Sequence, residues 1–175
     1  MAKLLYSATM SLDGHIAGPG GDMSWLAEHL GDPNPTAERL LPRVGAILAG
    51  NVTYGGGDPN EGTDEEGAFG GQYHGPTFVL THRPPADPPA DVAFLGDLAT
   101  AVAAAKTAAG DRYVNVLGAN VAAQCIDAGL LDEVLVFLAP VLLGDGTRLF
   151  DRPGGARVRL EPIDDEYPHW YRVAR

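Results

Sequence analysis

Residues 113–139 read YVNVLGANVAAQCIDAGLLDEVLVFLA, and they decide the fold class. The run Tyr113–Leu117 is apolar and rich in β-branched residues, which predicts a strand that stops at Gly118. From about 120 to 128 the spacing predicts a helix, closed by Gly129. Residues 133–139 (EVLVFLA) are apolar at consecutive positions, the pattern of a central strand covered on both faces. Two strands separated by a helix need a crossover, so this unit predicts a parallel pair.

Upstream the same rhythm recurs. Apolar strands are expected at 3–10 (KLLYSATM), 44–49 (VGAILA), 77–81 (TFVLT) and 92–95 (VAFL). Asp97 is placed to cap an Ala-rich helix over 98–109, which Gly110 stops. Short helices are expected at 24–30 and 36–42, with Ser24 and Thr36 as N-caps. Downstream, 157–161 and 169–174 read as two strands that pair as a hairpin. The expected fold class is α/β. It is a three-layer αβα sandwich with a central mixed, mostly parallel sheet and a C-terminal antiparallel strand pair, formed as a single domain over 1–175.

One segment departs from this rhythm. Residues 55–76 (GGGDPNEGTDEEGAFGGQYHGP) hold eight glycines, five acids and no Lys or Arg. This Gly-rich acidic loop is too long for a plain connection. It reads either as a solvated excursion or as a flap or subunit contact anchored by Phe69 and Tyr73.

Composition narrows the function. The chain has 175 residues, 12 Lys and Arg against 23 Asp and Glu, and a formal net charge of −11. That balance argues against nucleic-acid or anionic-membrane partners, which need clustered cations. No apolar run approaches the ~20 residues that span a bilayer, and no signal peptide is recognisable, so a cytoplasmic location is expected. The single cysteine, Cys125, excludes an internal disulfide and sits in a helix as a small hydrophobe. His15, His29, His74, His82 and His169 show no metal-ligand spacing, so no metal is expected.

Three strand-to-helix junctions carry the chemical signal: Leu48–Tyr54 (LAGNVTY), Val79–Arg83 (VLTHR) and Leu117–Val121 (LGANV). Each ends a buried strand in small or hydrogen-bonding residues. The carboxyl ends of parallel strands are where α/β folds bind ligands, and glycine lets a phosphate approach the backbone.

These junctions, together with MSLDGHIA (10–17) and the run GLLDE (129–133) continuing to PVLLGDGTRLF (140–150), resemble the dihydrofolate-reductase-like superfamily. Within it they are similar to the reductase domain of the bifunctional riboflavin-biosynthesis deaminase/reductase, in the manner of stand-alone bacterial members. The resemblance covers about residues 4–150. It implies an NAD(P)H-dependent oxidoreductase that delivers hydride to a pteridine-like or ribosylated pyrimidine substrate. NADPH is the implied cofactor, NADH the alternative, and a homodimer the implied assembly. The deaminase zinc motif is absent from the sequence.

Carried over by position, Ala8, Thr9, Ile16 and Ala17 border the nicotinamide, and Trp25 lies close by. Gly50, Asn51 and Thr53 form the phosphate junction. Thr81, His82 and Arg83 read the 2′-phosphate end. Leu117, Gly118, Ala119, Asn120 and Val121 form the turn under the pyrophosphate. Asp13 is the candidate acid on the substrate side, and its structural alternative is a turn residue capping its own backbone. Two positions depart from the family pattern. Asn51 stands where an Arg is common, and Leu117 where a second Gly is usual. They keep two alternatives open, a non-catalytic nucleotide-binding or sensing protein and a reductase that uses a flavin-type cofactor.

Overall fold

The computed structural model describes residues 1–29, 34–56, 58–163 and 169–175. Its strands are β1 (Leu4–Ser11), β2 (His15–Ala17), β3 (Val44–Gly50), β4 (Thr77–Leu80), β5 (Val92–Leu95), β6 (Tyr113–Leu117), β7 (Glu133–Ala139), β8 (Thr147–Arg148), β9 (Leu160–Pro162) and β10 (Trp170–Val173). The α-helices are α1 (Pro35–Leu40), α2 (Asn51–Gly55), α3 (Leu98–Ala109) and α4 (Ala119–Asp127). Eight strands form one sheet in the order β5-β4-β3-β6-β1-β7-β10-β9, and β2 pairs with β8 in a second, two-stranded sheet.

The pairs from β5 across to β7 are parallel. β10 runs antiparallel to both β7 and β9, so the C-terminal hairpin extends the sheet's edge. This is the mixed, mostly parallel sheet expected from the sequence. The ladder period of two sends Leu4 and Tyr6 to one face and Leu5 to the other. On the first face, α3 brings Ala101, Val102 and Ala105, and α4 brings Val121, Ala122 and Cys125. The opposite face is covered by Leu40 of α1, Trp170, and Phe69 and Tyr73 of the long β3–β4 crossover. The Gly-rich segment therefore packs on the sheet through the two aromatics expected to anchor it.

Small residues bring α3 onto the sheet. A Cβ on Gly45 would stand 2.6 Å from the carbonyl oxygen of Ala109, so β3 and the end of α3 touch backbone to side-chain position. Asp97 caps α3 by accepting from the Thr100 amide, and Gly110 ends it at φ 68°.

Several local expectations change. The stretch beginning at Ser24 is a 3-10 helix, Ser24–His29, and residue 30 of the expected helix lies outside the described residues. Ser24 does not cap it; its amide donates to Asp22 Oδ1 at 2.9 Å. The next helix starts at Pro35 rather than 36, with Asn34 and not Thr36 accepting from the Ala37 amide. It closes in a 3-10 turn over Leu41–Arg43. β7 is interior as expected, yet Leu138 near its end is exposed. The sequence also carries no sign of the β2–β8 sheet, whose strands are three and two residues long.

At the amino edge of the sheet, Glu133 is buried but fully partnered. It accepts from Lys3 Nζ at 2.8 Å, Tyr113 OH at 2.8 Å and Trp170 Nε1 at 3.0 Å. The Arg43 guanidinium lies 5.0 Å over the Tyr113 ring and 5.2 Å over that of Trp170. These contacts tie β1, β3, β6, β7 and β10 together at one end.

Candidate active site

The carboxyl ends of β3, β4 and β6 fan apart around a cleft of about 290 Å³. Gly50, Asn51 and Thr53 enter it from the β3–α2 junction, and Thr81 and His82 from the end of β4. Gly118, Asn120 and Val121 enter it from β6 and the first turn of α4. The tertiary fold thus gathers the three junctions into one wall. Val52 and Leu80, which fall within the junctions read from sequence, complete the lining together with Gly96, Leu98 and Gln124, which lie outside them. Gly96 could have been found, because it sits between β5 and the Asp97 cap, where chain and cleft meet. Leu117, Ala119 and Arg83 are chain neighbours of lining residues but do not line the cleft. Arg83 is exposed, and its amide donates to Thr81 Oγ1 at 3.0 Å.

Gly118 is the pivot. It is the N-cap of α4 at φ 95°, ψ 135°, a conformation that side chains disfavour. Thr53 lies directly over it, so that a Cβ here would collide with Thr53 Oγ1 and stand 3.3 Å from Thr53 Cβ. No cap side chain bonds the first amides of α4, which leaves that turn open to an anionic ligand in the cleft. The Asn120 amide oxygen accepts from Gln124 Nε2 at 2.7 Å, which holds both side chains along the helix. Tyr54 of α2 meets Phe94 of β5 edge-on, ring centroids 5.5 Å apart, and fixes α2 against β5.

Beside this cleft, β1 carries Ala8 and Thr9 toward the turn that leads into β2 with Ile16 and Ala17. The turn is latched to a distant segment. Asp13 accepts from Ser11 Oγ at 2.6 Å, the Leu143 amide at 3.1 Å and the Gly144 amide at 2.7 Å. These bonds all favour the carboxylate, and they hold it well below the usual carboxylate range. These contacts match the turn role that the sequence offered as the structural alternative for Asp13. As an acceptor it latches the turn to the Leu143–Gly144 segment. Gly146 completes the join by packing on the Ala17 carbonyl, where no Cβ would fit.

A second cleft of about 290 Å³ lies at the far, amino edge, lined by charged groups including Lys3, Asp132, Glu133, Arg159 and Arg175. Its charges pair with each other, Arg175 with Asp132 at 2.6 Å and Arg159 with Glu161 at 3.0 Å, and it is remote from the three junctions. The strand-end cleft is the candidate site. Among the described residues, no group of three or more His, Cys, Asp or Glu could hold a metal. No helix of the described residues is long and apolar enough to cross a membrane. Cys125 is buried, and burial pushes its thiol up to about 11, which suits a packing residue.

An eight-stranded, mostly parallel sheet with its cleft at the carboxyl ends of β3, β4 and β6 defines a dihydrofolate-reductase-like domain. The comparisons agree. A dihydrofolate reductase from Enterococcus faecalis, solved with NADP(H) and RAB-propyl, superposes with a TM-score of 0.55 at 13% identity, covering 98% of this chain and 93% of that one. More particularly, the chain belongs to the RibD C-terminal domain family, whose model matches residues 2–165.

A Shewanella sp. PV-4 protein assigned to riboflavin biosynthesis has a TM-score of 0.71 at 22% identity, over 99% of this chain and 97% of that one. A Thermotoga maritima diaminohydroxyphosphoribosylaminopyrimidine deaminase/5-amino-6-(5-phosphoribosylamino)uracil reductase matches with a TM-score of 0.56 at 18% identity. It covers 98% of this chain but 55% of its partner in the comparison, so the chain spans about half of that two-part protein. The riboflavin biosynthesis protein RibD of Haemophilus influenzae is 38% identical over a stretch covering 33% of this chain and 19% of that protein.

Proposed function

We propose that this domain is a pyridine-nucleotide-dependent reductase acting on a flat heterocycle of the pteridine or ribosylated-pyrimidine type. One observation carries the reading: the Gly118 turn, bare of side chain and overlaid by Thr53, opens the first turn of α4 into a cleft walled by all three junctions. Membership of the RibD C-terminal domain family supports it.

The residues present fit a dinucleotide. Gly50, Thr53, Gly118 and Asn120 offer amides and hydroxyl or amide side chains to a pyrophosphate, and Thr81 and His82 stand at the adenosine end. Bound there, the cofactor supplies the hydride. The chain's own residues bind and orient it, with the Ile16–Ala17 backbone closing the reactive end. Asp13 holds that end in place through its bonds to the Leu143 and Gly144 amides.

The fit to a 2′-phosphate is thinner. Among the described residues the lining holds no Lys or Arg, and His82 is its one basic side chain. Asn51 occupies the position where an Arg would fork onto phosphate. NADPH therefore binds with only a small preference over NADH, and Asn51→Arg widens that preference to about tenfold, the equivalent of one charge-assisted bond.

Titration with each nucleotide, read by tryptophan quenching, tests this. Trp170 is buried at the amino edge and gives a constant background, so that Trp25 reports. Binding by neither nucleotide would sink the proposal. Binding followed by nucleotide oxidation with 5-amino-6-(5-phosphoribosylamino)uracil, the compound in the Thermotoga protein's name, would establish turnover. Tight binding without turnover on that compound or on pterins would instead favour a nucleotide-sensing protein.

A further inference from the structure

The strand-end cleft holds one glycine that its own backbone does not call for. Gly96 lies between the end of β5 and the Asp97 cap of α3, and it lines the cleft together with His82. Its φ falls outside the left-handed region, so an L-residue would meet no backbone strain there. What a side chain would meet is the imidazole of His82. A Cβ on Gly96 would stand 3.3 Å from His82 Nδ1 and 3.9 Å from its Cε1, with the Thr81 carbonyl oxygen at 3.6 Å. Only the first of these is tighter than ordinary van der Waals contact.

The chain around Gly96 is held on both sides. The Thr81 amide donates to the Leu95 carbonyl at 2.8 Å, which joins the end of β4 to the residue before the glycine. The residue after it, Asp97, accepts from the Thr100 amide at 2.8 Å and from the Thr100 hydroxyl at 2.7 Å. His82 is exposed at the mouth of the cleft, so bulk added at position 96 is passed to its ring.

We propose that Gly96 is a positioning residue whose bare Cα seats the His82 imidazole in the cleft wall, where the face of the ring takes the purine base of a bound nucleotide. A flat ring stacks on a base without reading its substituents. A ring seated beforehand also loses less freedom when the nucleotide arrives. This rests on the reading of the cleft as a dinucleotide site, and it gives His82 the base rather than the 2′-phosphate.

The experiment measures NADPH and NADH affinity in the wild type, Gly96→Val, His82→Ala and the double variant. Both nucleotides carry the same base, so Gly96→Val and His82→Ala should each weaken both by about tenfold. In the double variant no ring is left to displace, so the second substitution should add nothing. His82→Phe keeps a flat ring without a basic nitrogen and should retain the affinity that His82→Ala loses. Gly96→Ala, expected to lose about threefold, guards against failure of the larger side chain to fold. A loss confined to NADPH would return His82 to the 2′-phosphate and overturn the inference. Additive losses in the double variant, or a Gly96→Val chain that binds as the wild type does, would overturn it too and leave the reading of the cleft standing. A wild type that binds neither nucleotide would overturn that reading, and the inference with it.

Discussion

Gly118 shows how much one position constrains. Its φ of 95° costs an L-residue about 1–2 kcal/mol, and Thr53 leaves no room for a methyl group. Gly118→Ala is expected to lower stability by at least that amount and to weaken nucleotide binding about tenfold, seen in a thermal melt beside a binding titration. Thr53→Ala in the same chain should recover part of the steric loss and none of the backbone strain. The glycine was legible in sequence, because a glycine between a buried strand and a helix has few other purposes. Asp13 was not. Its Leu143 partner lies 130 positions along the chain, so the sequence shows a turn aspartate and hides the amides that keep it ionised.

At the scale of elements, the strands and the two longer helices were legible, because apolar runs and caps are local properties. The Asp97 cap and the Gly110 stop of α3 stand where the sequence puts them. The pairing of β2 with β8 was not legible, since strands of three and two residues carry no periodicity. The amino-edge cluster is another case of elements meeting. Glu133 reads as the polar start of a strand, yet it is 2% exposed and joins three donors from three other segments. Glu133→Ala strips the partner from Tyr113 and Trp170 in the interior. It is expected to cost about 3 kcal/mol, with Lys3 contributing little because its side chain is half exposed. Calorimetry should show a melting point lower by roughly 6–12 °C in a domain of this size.

Across the whole molecule, charge is unevenly placed. Arg43 and Arg112 immediately precede β3 and β6, and Lys3, Lys106 and Arg175 pair with acids at the start of β7. That arrangement concentrates positive charge at the amino edge and leaves the strand-end cleft to hydroxyls, amides and His82. Burial also sets the alkaline limit. It pushes the Tyr73 and Tyr113 phenols up to about 12, and that of Tyr6 is raised as well. An unfolded tyrosine titrates near 10, so the stability these groups contribute is whole below about pH 10 and is lost as pH rises toward 12. Ultraviolet titration of phenolate should show these tyrosines ionising late, together with loss of the folded circular-dichroism signal. Their ionisation at the free value in a folded chain would refute the assignment.

The amino-acid sequence by itself determined the strands, the α3 and α4 helices, the parallel crossovers and the three junctions that make up most of the cleft. Those follow from local periodicity, caps and glycines, which act over a few residues. Only the tertiary structure decided that Thr53 roofs Gly118, that Arg83 stands outside the cleft, that Glu133 is a buried hub and that Asp13 is a latch beside an unpaired His15. Each of these depends on groups far apart in the chain, and hydrogen bonding, burial and steric exclusion act on distance in space.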